Sequence, residues 1–400
     1  MTQSTEELET FRREVREFFA ANLPARLREK TQNFLPLERE DYVVLHRMLH
    51  TRGWAAPGWP EEYGGTGWNA LQRLVFDEEL GAAGAPRLYP HVNMIGPVLQ
   101  KFGTPEQKAR FLPPMLRMDE IWCQGYSEPG SGSDLASLKS RCVREGDHYV
   151  VTGQKIWTSY AHWSDWMFCL VRTQSGSKPQ QGISFLLIDM RSPGVTVRRI
   201  PTINGASDLN EVFLDRVKVP LDGLVHQEND GWTVAKYLLG FERTGGSSIT
   251  TCQLLLSRLK AIASREKLNG KPLLEDARFR ERVTRAEIRL RIQEHSLACV
   301  LAGDVAPELQ GTEISALKLQ GSRIVQELAT LLMQCAGPNG IVYLPEAFEP
   351  GFDPTLAREG LDSPDLMMLS PNYLDWRKTT IYGGTTEVQK NLIAKAILAV

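Results

Sequence analysis

Behind Ser4 and Glu7, whose spacing suits a capping box, Leu8, Phe11, Val15, Phe18 and Phe19 recur at helical intervals and predict an opening amphipathic helix. The same period continues through "LEREDYVVLHRMLHTRG", "NALQRLVFDEELGAAG" and "GPVLQKFGTPEQKARFLPPMLR", broken by the Gly/Pro-rich connector "WAAPGWPEEYGGTGWN". Residues 1–120 therefore read as a helical domain. The pattern then shortens. Over residues 121–228, runs rich in β-branched and aromatic residues ("HYVVTG", "DWMFCLVRT", "ISFLLID", "GVTVRRI", "EVFLDRVKVP") alternate with turn clusters such as Glu145-Gly146-Asp147 and predict a compact barrel or sandwich. Over residues 229–400, helical periodicity returns in four long patterns with polar outer faces, which suits a helical bundle. The first of them, "WTVAKYLLGFERTGGSSITTCQLLLSRLKAIASREK", reads as one helix. The Pro/Gly-rich stretch 349–372 separates the last two and predicts a long loop with room for one short helical turn. Block order excludes a doubly wound dinucleotide fold, whose strands and helices alternate, and G-x-G-x-x-G is absent.

Within that first bundle pattern stands a carboxylate out of place. On a wheel of about 100° per residue, Ala235, Leu238, Leu239, Gly245, Gly246 and Ile249 fall within about 60° of Glu242, and all are apolar or tiny. A buried carboxylate needs a partner or a raised pKa. Periodicity leaves two readings open: a Glu paired with an Arg such as Arg243, or a general base beside a cavity left by the glycines.

Composition narrows the class without naming the chemistry. With 400 residues the chain exceeds a single core of about 250, and 42% hydrophobic with 24% charged residues excludes disordered and fibrous classes. A net charge of -2 offers no basic footprint for nucleic acid. Cys123, Cys142, Cys169, Cys252, Cys299 and Cys335 form no C-x-x-C pair and read as small hydrophobes in a reducing compartment. No H-x-x-x-H or Cys/His cluster suggests a metal, and no run approaches the roughly 20 apolar residues of a membrane span. The acidic opening resembles neither a secretory signal nor a transit peptide, so a cytoplasmic location is expected.

Six motifs in register carry a resemblance: "GWPEEYGGTG" (58–67), "KFGTPEQKARFLPPM" (101–115), "GYSEPGSGSD" (125–134), "VTGQKIWTS" (151–159), "QCAGPNG" (334–340) and "TTIYGGTTEVQKNLIAK" (379–395). In this order the chain resembles an acyl-CoA dehydrogenase over nearly its whole length. The resemblance implies a mainly α fold with a central β domain: an N-terminal helical domain, a middle β-barrel-like domain and a C-terminal four-helix bundle. It implies FAD as cofactor. Tyr126, Ser127 and Ser133 would line the flavin's pyrimidine edge and pyrophosphate, with Ser133 also near substrate, and Trp157, Thr158 and Ser159 would flank the ring near N5. A Ser/Gly-rich loop offers N–H donors to such groups, and a Trp offers a flat apolar wall. Gln334, Thr385 and Glu387 would reach the adenosine-diphosphate part, across a subunit interface.

The resemblance also implies α,β-dehydrogenation of an acyl-CoA thioester, with electrons passing to an electron-transfer flavoprotein. Many members carry the catalytic Glu directly after the Tyr of the C-terminal motif, but here Gly383 follows Tyr382. A smaller group places the base on the first helix of the bundle, and Glu242 occupies that position. Gly383 keeps the backbone N–H that polarises the thioester carbonyl, and Arg243 either orders the site or contacts the thioester end. The family's Arg-x-x-Phe-Gly segment appears as "SREKLNGK", with Asn269 in place of Phe and Arg265 out of register. That departure suggests an α2β2 tetramer with a degenerate partner, set against a homotetramer. Two other readings stay open: a flavin-binding subunit active only with a partner chain, and a flavin oxidase or monooxygenase on the same fold.

Overall fold

The computed structural model describes residues 5–244, 248–305, 312–342, 344–349, 352 and 366–398. The N-terminal helices are α1 (Thr5–Asn22), α2 (Ala25–Gln32), α3 (Arg39–Thr51), α4 (Ala70–Ala82), α5 (Val92–Phe102) and α6 (Pro105–Leu116). In α1 the expected face is buried, with Phe11, Val15 and Phe19 in the core and Leu8 and Phe18 packed against it. The Ser4 half of the proposed cap lies outside the described residues. Reciprocal side-chain caps start α4 (Asn69 with Gln72) and α6 (Thr104 with Gln107), and Pro105 at the first turn of α6 removes an N–H that has no helical partner there. Helix α2 was not expected from the pattern. It is short, polar and buries only Leu27, so it carries almost no periodic signal.

Strands β1 (Trp122–Gly125), β2 (Arg141–Glu145), β3 (His148–Ser159), β4 (Trp166–Arg172), β5 (Ile183–Asp189), β6 (Val195–Ile200), β7 (Leu209–Pro220) and β8 (Leu224–Val225) form one sheet in the order β6-β7-β3-β2-β4-β5-β8, with β1 parallel beside β4. β5 and β7 stand four places apart in that order yet touch, so the sheet curls around its own core. The apolar runs of β4 and β5 have a two-faced cause. Met167, Cys169, Leu186 and Ile188 point into the sheet's core, while Phe168, Leu170, Phe185 and Leu187 alternate with them into the core of the N-terminal helices. The sheet is thereby locked to the helical domain.

The C-terminal region contains α7 (Gly231–Thr244), α8 (Ile249–Arg265), a hairpin of β9 (Lys267–Leu268) and β10 (Lys271–Pro272), α9 (Ala277–Ala302), α10 (Glu313–Cys335), α11 (Leu369–Asp375) and α12 (Thr386–Leu398). One expectation is corrected here: the pattern 232–267 is two helices, with Ser248 in the left-handed region (φ 55°) just before α8. Their apolar faces serve different cores, Val234, Ala235 and Leu238 of α7 joining the N-terminal core and Leu255, Leu259 and Ile262 of α8 joining α9 and α10. Ile249 therefore begins a second helix and is not on the helix that carries Glu242. The expected loop 349–372 ends earlier than its composition suggests, because α11 begins at Leu369 and buries it with Pro371; most of the stretch lies outside the described residues. All six cysteines are free and all but Cys299 are buried. Among the described residues no helix is long and apolar enough to cross a membrane.

Two buried histidines make the helical domain acid-sensitive. His46 and His91 are 0% and 4% exposed, and burial lowers each to about 4. His46 is read as neutral because its Nε2 accepts the N–H of Tyr89 at 3.0 Å. A folded pKa below the unfolded value near 6.5 gives stability that is present above pH 6.5 and lost as pH falls toward 4. We expect a loss of roughly 3 kcal/mol per histidine across that window. The unfolding midpoint should drop between pH 6.5 and 4, and a His91→Phe variant should flatten the slope.

Candidate active site

The loop after β1 is held against β3 by a buried ion pair. Lys155 is 0% exposed, and its Nζ donates to Glu128 Oε1 at 2.7 Å and to the carbonyl oxygens of Leu170 (2.7 Å) and Tyr126 (3.3 Å). Glu128 also accepts the N–H groups of Lys139 (2.6 Å) and Ser140 (2.9 Å). Burial pushes its carboxyl up, but Lys155 and these donors more than offset burial and hold it below the usual range. The loop closes on itself through reciprocal 2.9 Å bonds between Glu128 and Ser131, and Ile156 N–H donates to Ser127 O at 2.9 Å. Tyr126 is buried against the edges of Phe168 and Phe185, Ser127 is half-buried and Ser133 is exposed. A Cβ built at Gly130 or Gly132 would meet nothing within 4 Å, so open space lies beside the loop.

Trp157 sits at a break in the β3–β7 ladder. Register shifts between Lys155 and Thr158, and Trp157 takes φ 61° with its indole 56% exposed. A bulge of this kind re-aims a side chain, here outward between the buried Lys155 and Thr158. The next residue, Thr158, is 1% exposed, and its Oγ1 has no hydrogen-bond partner. Asn210 fixes the backbone beside it, donating Nδ2 to Thr158 O at 2.8 Å while its Oδ1 lies 3.1 Å from His162 Nδ1. Ser159 follows in register with Leu209. The structure thus joins Tyr126, Ser127, Trp157, Thr158 and Ser159 around the C-terminal end of β3, with Ser133 exposed farther along the same loop.

Gly383 belongs to a second constellation. It has φ 63° and its neighbour Gly384 φ 86°, a conformation that favours glycine at both places. The residues before it are gripped by a polar row on α10. Lys318 Nζ and Ser322 Oγ donate to Thr379 O at 2.7 and 3.1 Å, and Gln326 Nε2 donates to Trp376 O at 3.1 Å. Gln389 then donates to Gly383 O at 3.0 Å, and Thr385 Oγ1 accepts Val388 N–H at 3.2 Å, which caps α12. Glu387 is exposed in the first turn of α12, and exposed Gln334 accepts from Arg282 at 2.5 Å. No hydrogen bond or ion pair among the described residues joins Gln334, Thr385 or Glu387 to the Trp157 group. Glu242 and Arg243 lie in the last turn of α7, which packs on α5. Their side chains, and Gly245 and Gly246, lie outside the described residues.

Several residues of these constellations were not singled out from the sequence. Glu128 and Lys155 stand inside quoted motifs, but nothing in their spacing shows that they pair. Lys318, Ser322 and Gln326 do carry a signal, since they recur at i, i+4 and i+8 on a largely apolar helix.

Comparison with known proteins extends the likeness along the whole chain. Family profiles for the acyl-CoA dehydrogenase N-terminal, middle and C-terminal domains match residues 5–119, 123–217 and 229–398. Acyl-CoA dehydrogenase IpdE1 of Mycobacterium tuberculosis is 36% identical over 98% of both chains. The ChsE4-ChsE5 complex from Mycobacterium tuberculosis superposes with a TM-score of 0.82 at 29% identity, covering 100% of this chain and 99% of that one. The Tcur3481-Tcur3483 steroid ACAD does so with a TM-score of 0.82 at 28% identity and the same coverage. Since all three domains match in chain order and a relative of this identity spans almost every residue, the chain belongs to the acyl-CoA dehydrogenase family, whose members are flavoproteins and oxidoreductases.

Proposed function

We propose that the chain converts an acyl-CoA thioester to its trans-2-enoyl-CoA, using FAD and with Glu242 as base. The observation that carries the reading is the bulge at Trp157, an outward indole followed by a buried Thr158 Oγ1 without a partner, set against a serine-bearing loop with open space beside it. An orphaned hydroxyl beside a flat aromatic wall suits a planar ring with hydrogen-bonding edges. Tyr126, Ser127, Ser133, Trp157, Thr158 and Ser159 would hold the flavin end, and Gln334, Thr385 and Glu387 the adenosine-diphosphate end. FAD, when bound, supplies the acceptor for the hydride leaving the β-carbon.

The chain's own residues do the rest. Glu242 removes the α-proton, Arg243 orders it or meets the thioester, and the Gly383 N–H polarises the thioester carbonyl. One such donor contributes roughly 3 kcal/mol in an oxyanion hole. Ser133, on the exposed end of its loop, would meet substrate as well as cofactor. Electrons leave to an electron-transfer flavoprotein, in the cytoplasm. Assembly is part of the reading. Ile288 and Ile292, one turn apart on α9, are 54% and 61% exposed and offer an apolar strip to a neighbouring subunit. Asn269 and Gly270 make the tight left-handed turn of the β9–β10 hairpin (φ 54° and 82°). That turn stands where a flavin-reaching segment would, which favours an α2β2 tetramer over a homotetramer.

The test is to record the flavin spectrum of the purified protein and titrate it anaerobically with a panel of acyl-CoA thioesters. Bleaching with release of enoyl-CoA supports the reading; protein that stays colourless with added FAD, or a flavin that no thioester bleaches, rejects it. Trp157→Gly gives a companion result. A left-handed non-glycine residue costs about 1–2 kcal/mol, so the variant should unfold no earlier than wild type while losing flavin on gel filtration.

A further inference from the structure

The end of β3 holds two strained residues. Trp157 and Tyr160 take φ 61° and 60°, a left-handed conformation that is costly for any residue with a side chain and persists only where surrounding contacts over-determine it. The ladder to β7 shifts register between Lys155 and Thr158, then resumes with Thr158 opposite Asn210 and Ser159 opposite Leu209. The contacts that hold this conformation converge on Asn210, which is 0% exposed. Its Nδ2 donates to Thr158 O at 2.8 Å and to Asp208 O at 3.2 Å, and Asp208 O also accepts the N–H of Tyr160 at 2.8 Å. One side-chain amide thereby ties the end of β3 to the start of β7 across the strained residues.

The amide can do this in one orientation only, and His162 selects it. Both carbonyl oxygens can only accept, so the end of Asn210 that faces them is the nitrogen, and Oδ1 points the other way. There it meets His162 Nδ1 at 3.1 Å, which must carry the proton and donate. Among the described residues no other donor reaches Oδ1, and a buried acceptor left without one is costly. The ring has no second polar use there, since its Nε2 is buried without a partner. Trp163 keeps the imidazole in place, edge to face at 5.0 Å, and itself stacks on Tyr160 at 5.0 Å with the rings 7° apart. The contacts thus return to the strained segment. We propose that His162 is a positioning residue for the flavin wall: its Nδ1–H, acting through Asn210, locks residues 157–160 in the conformation that turns the Trp157 indole outward and buries Thr158 beside it. The link to flavin rests on the dehydrogenase reading, whereas the lock itself does not.

Three substitutions separate the donor from the ring. His162→Asn places an amide nitrogen where Nδ1 stands, His162→Gln carries it on toward the position of Nε2, and His162→Leu removes it. Two quantities are measured on the full-length proteins: hydrogen exchange by mass spectrometry over residues 157–163 and over β4 and β5, and the Kd for FAD after removal of bound flavin. His162→Leu and His162→Gln should exchange the 157–163 amides at least about tenfold faster and bind FAD about tenfold more weakly, with β4 and β5 unchanged. His162→Asn should stay within about threefold of wild type in both. Should His162→Leu fail to fold, His162→Gln carries the same test. Wild-type behaviour of the Leu and Gln variants, or an Asn variant that fails as they do, overturns the proposal. Faster exchange that spreads to β4 and β5, or that leaves the FAD affinity of a flavin-binding protein unchanged, overturns it too. The expected exchange pattern in protein that binds no FAD supports the lock and rejects the flavin reading instead.

Discussion

Glu242→Gln is expected to slow flavin bleaching by acyl-CoA about 10³-fold, in the middle of the range for loss of a general base. Glu and Gln have nearly equal helix propensity, so α7 should persist and the variant should purify yellow and folded. Two observations support the proposal that the base lies there. Position 383, where many relatives of this kind would carry a carboxylate, is a glycine with φ 63°, a backbone conformation that a Glu would strain. Helix α7 meanwhile buries Ala235 and Leu238 against the N-terminal core, and residue 242 continues that row by spacing. Stopped-flow anaerobic mixing of wild type and variant with one good substrate decides the matter. A variant rate within threefold of wild type would place the base elsewhere.

Lys155→Met should have the largest effect on stability, about 3–5 kcal/mol, because it leaves the Glu128 carboxylate buried without its cation. The same change should strip the protein of flavin, since Lys155 also carries the carbonyl of Tyr126 at the start of the loop proposed to hold the cofactor. Replacing both partners, Glu128→Gln with Lys155→Met, should restore part of the stability, as removal of a whole buried pair costs far less than removal of half. The pH dependence gives an independent readout. Because the folded carboxyl of Glu128 is held below its unfolded value near 4.3, its contribution is present above that pH and is lost as pH falls through the folded value. In Lys155→Met that offset is gone, burial dominates, and destabilisation on acidification should begin at a higher pH. Urea unfolding of the three proteins at several pH values measures all of this. A single variant as stable as wild type would show that the pair does not anchor the loop.

Much of the architecture was legible before the structure. The strands β3 to β7 lie where runs rich in β-branched and aromatic residues predicted them, and α9, α10 and α12 where helical periodicity did. Both signals are local, because a half-buried strand and an amphipathic helix must each present one apolar face at their own period. The motifs around Tyr126 and Trp157 were legible too, as was the absence of a carboxylate after Tyr382. Where local signals failed, the cause was a second partner. The pattern around Glu242 reads as one helix because both halves are apolar on one side, but those sides face different cores, which two helices serve.

Sequence by itself determined the block order, the family and the residue types available for chemistry, since periodicity and motif register are properties of neighbouring positions. Tertiary structure decided which of those residues meet. The union of Lys155 with Glu128, the outward turn of Trp157 and the grip of Lys318 on Thr379 join positions 27 and 61 residues apart or depend on a register shift between strands. Pairing across such separations is set by packing and desolvation, which only the folded chain creates.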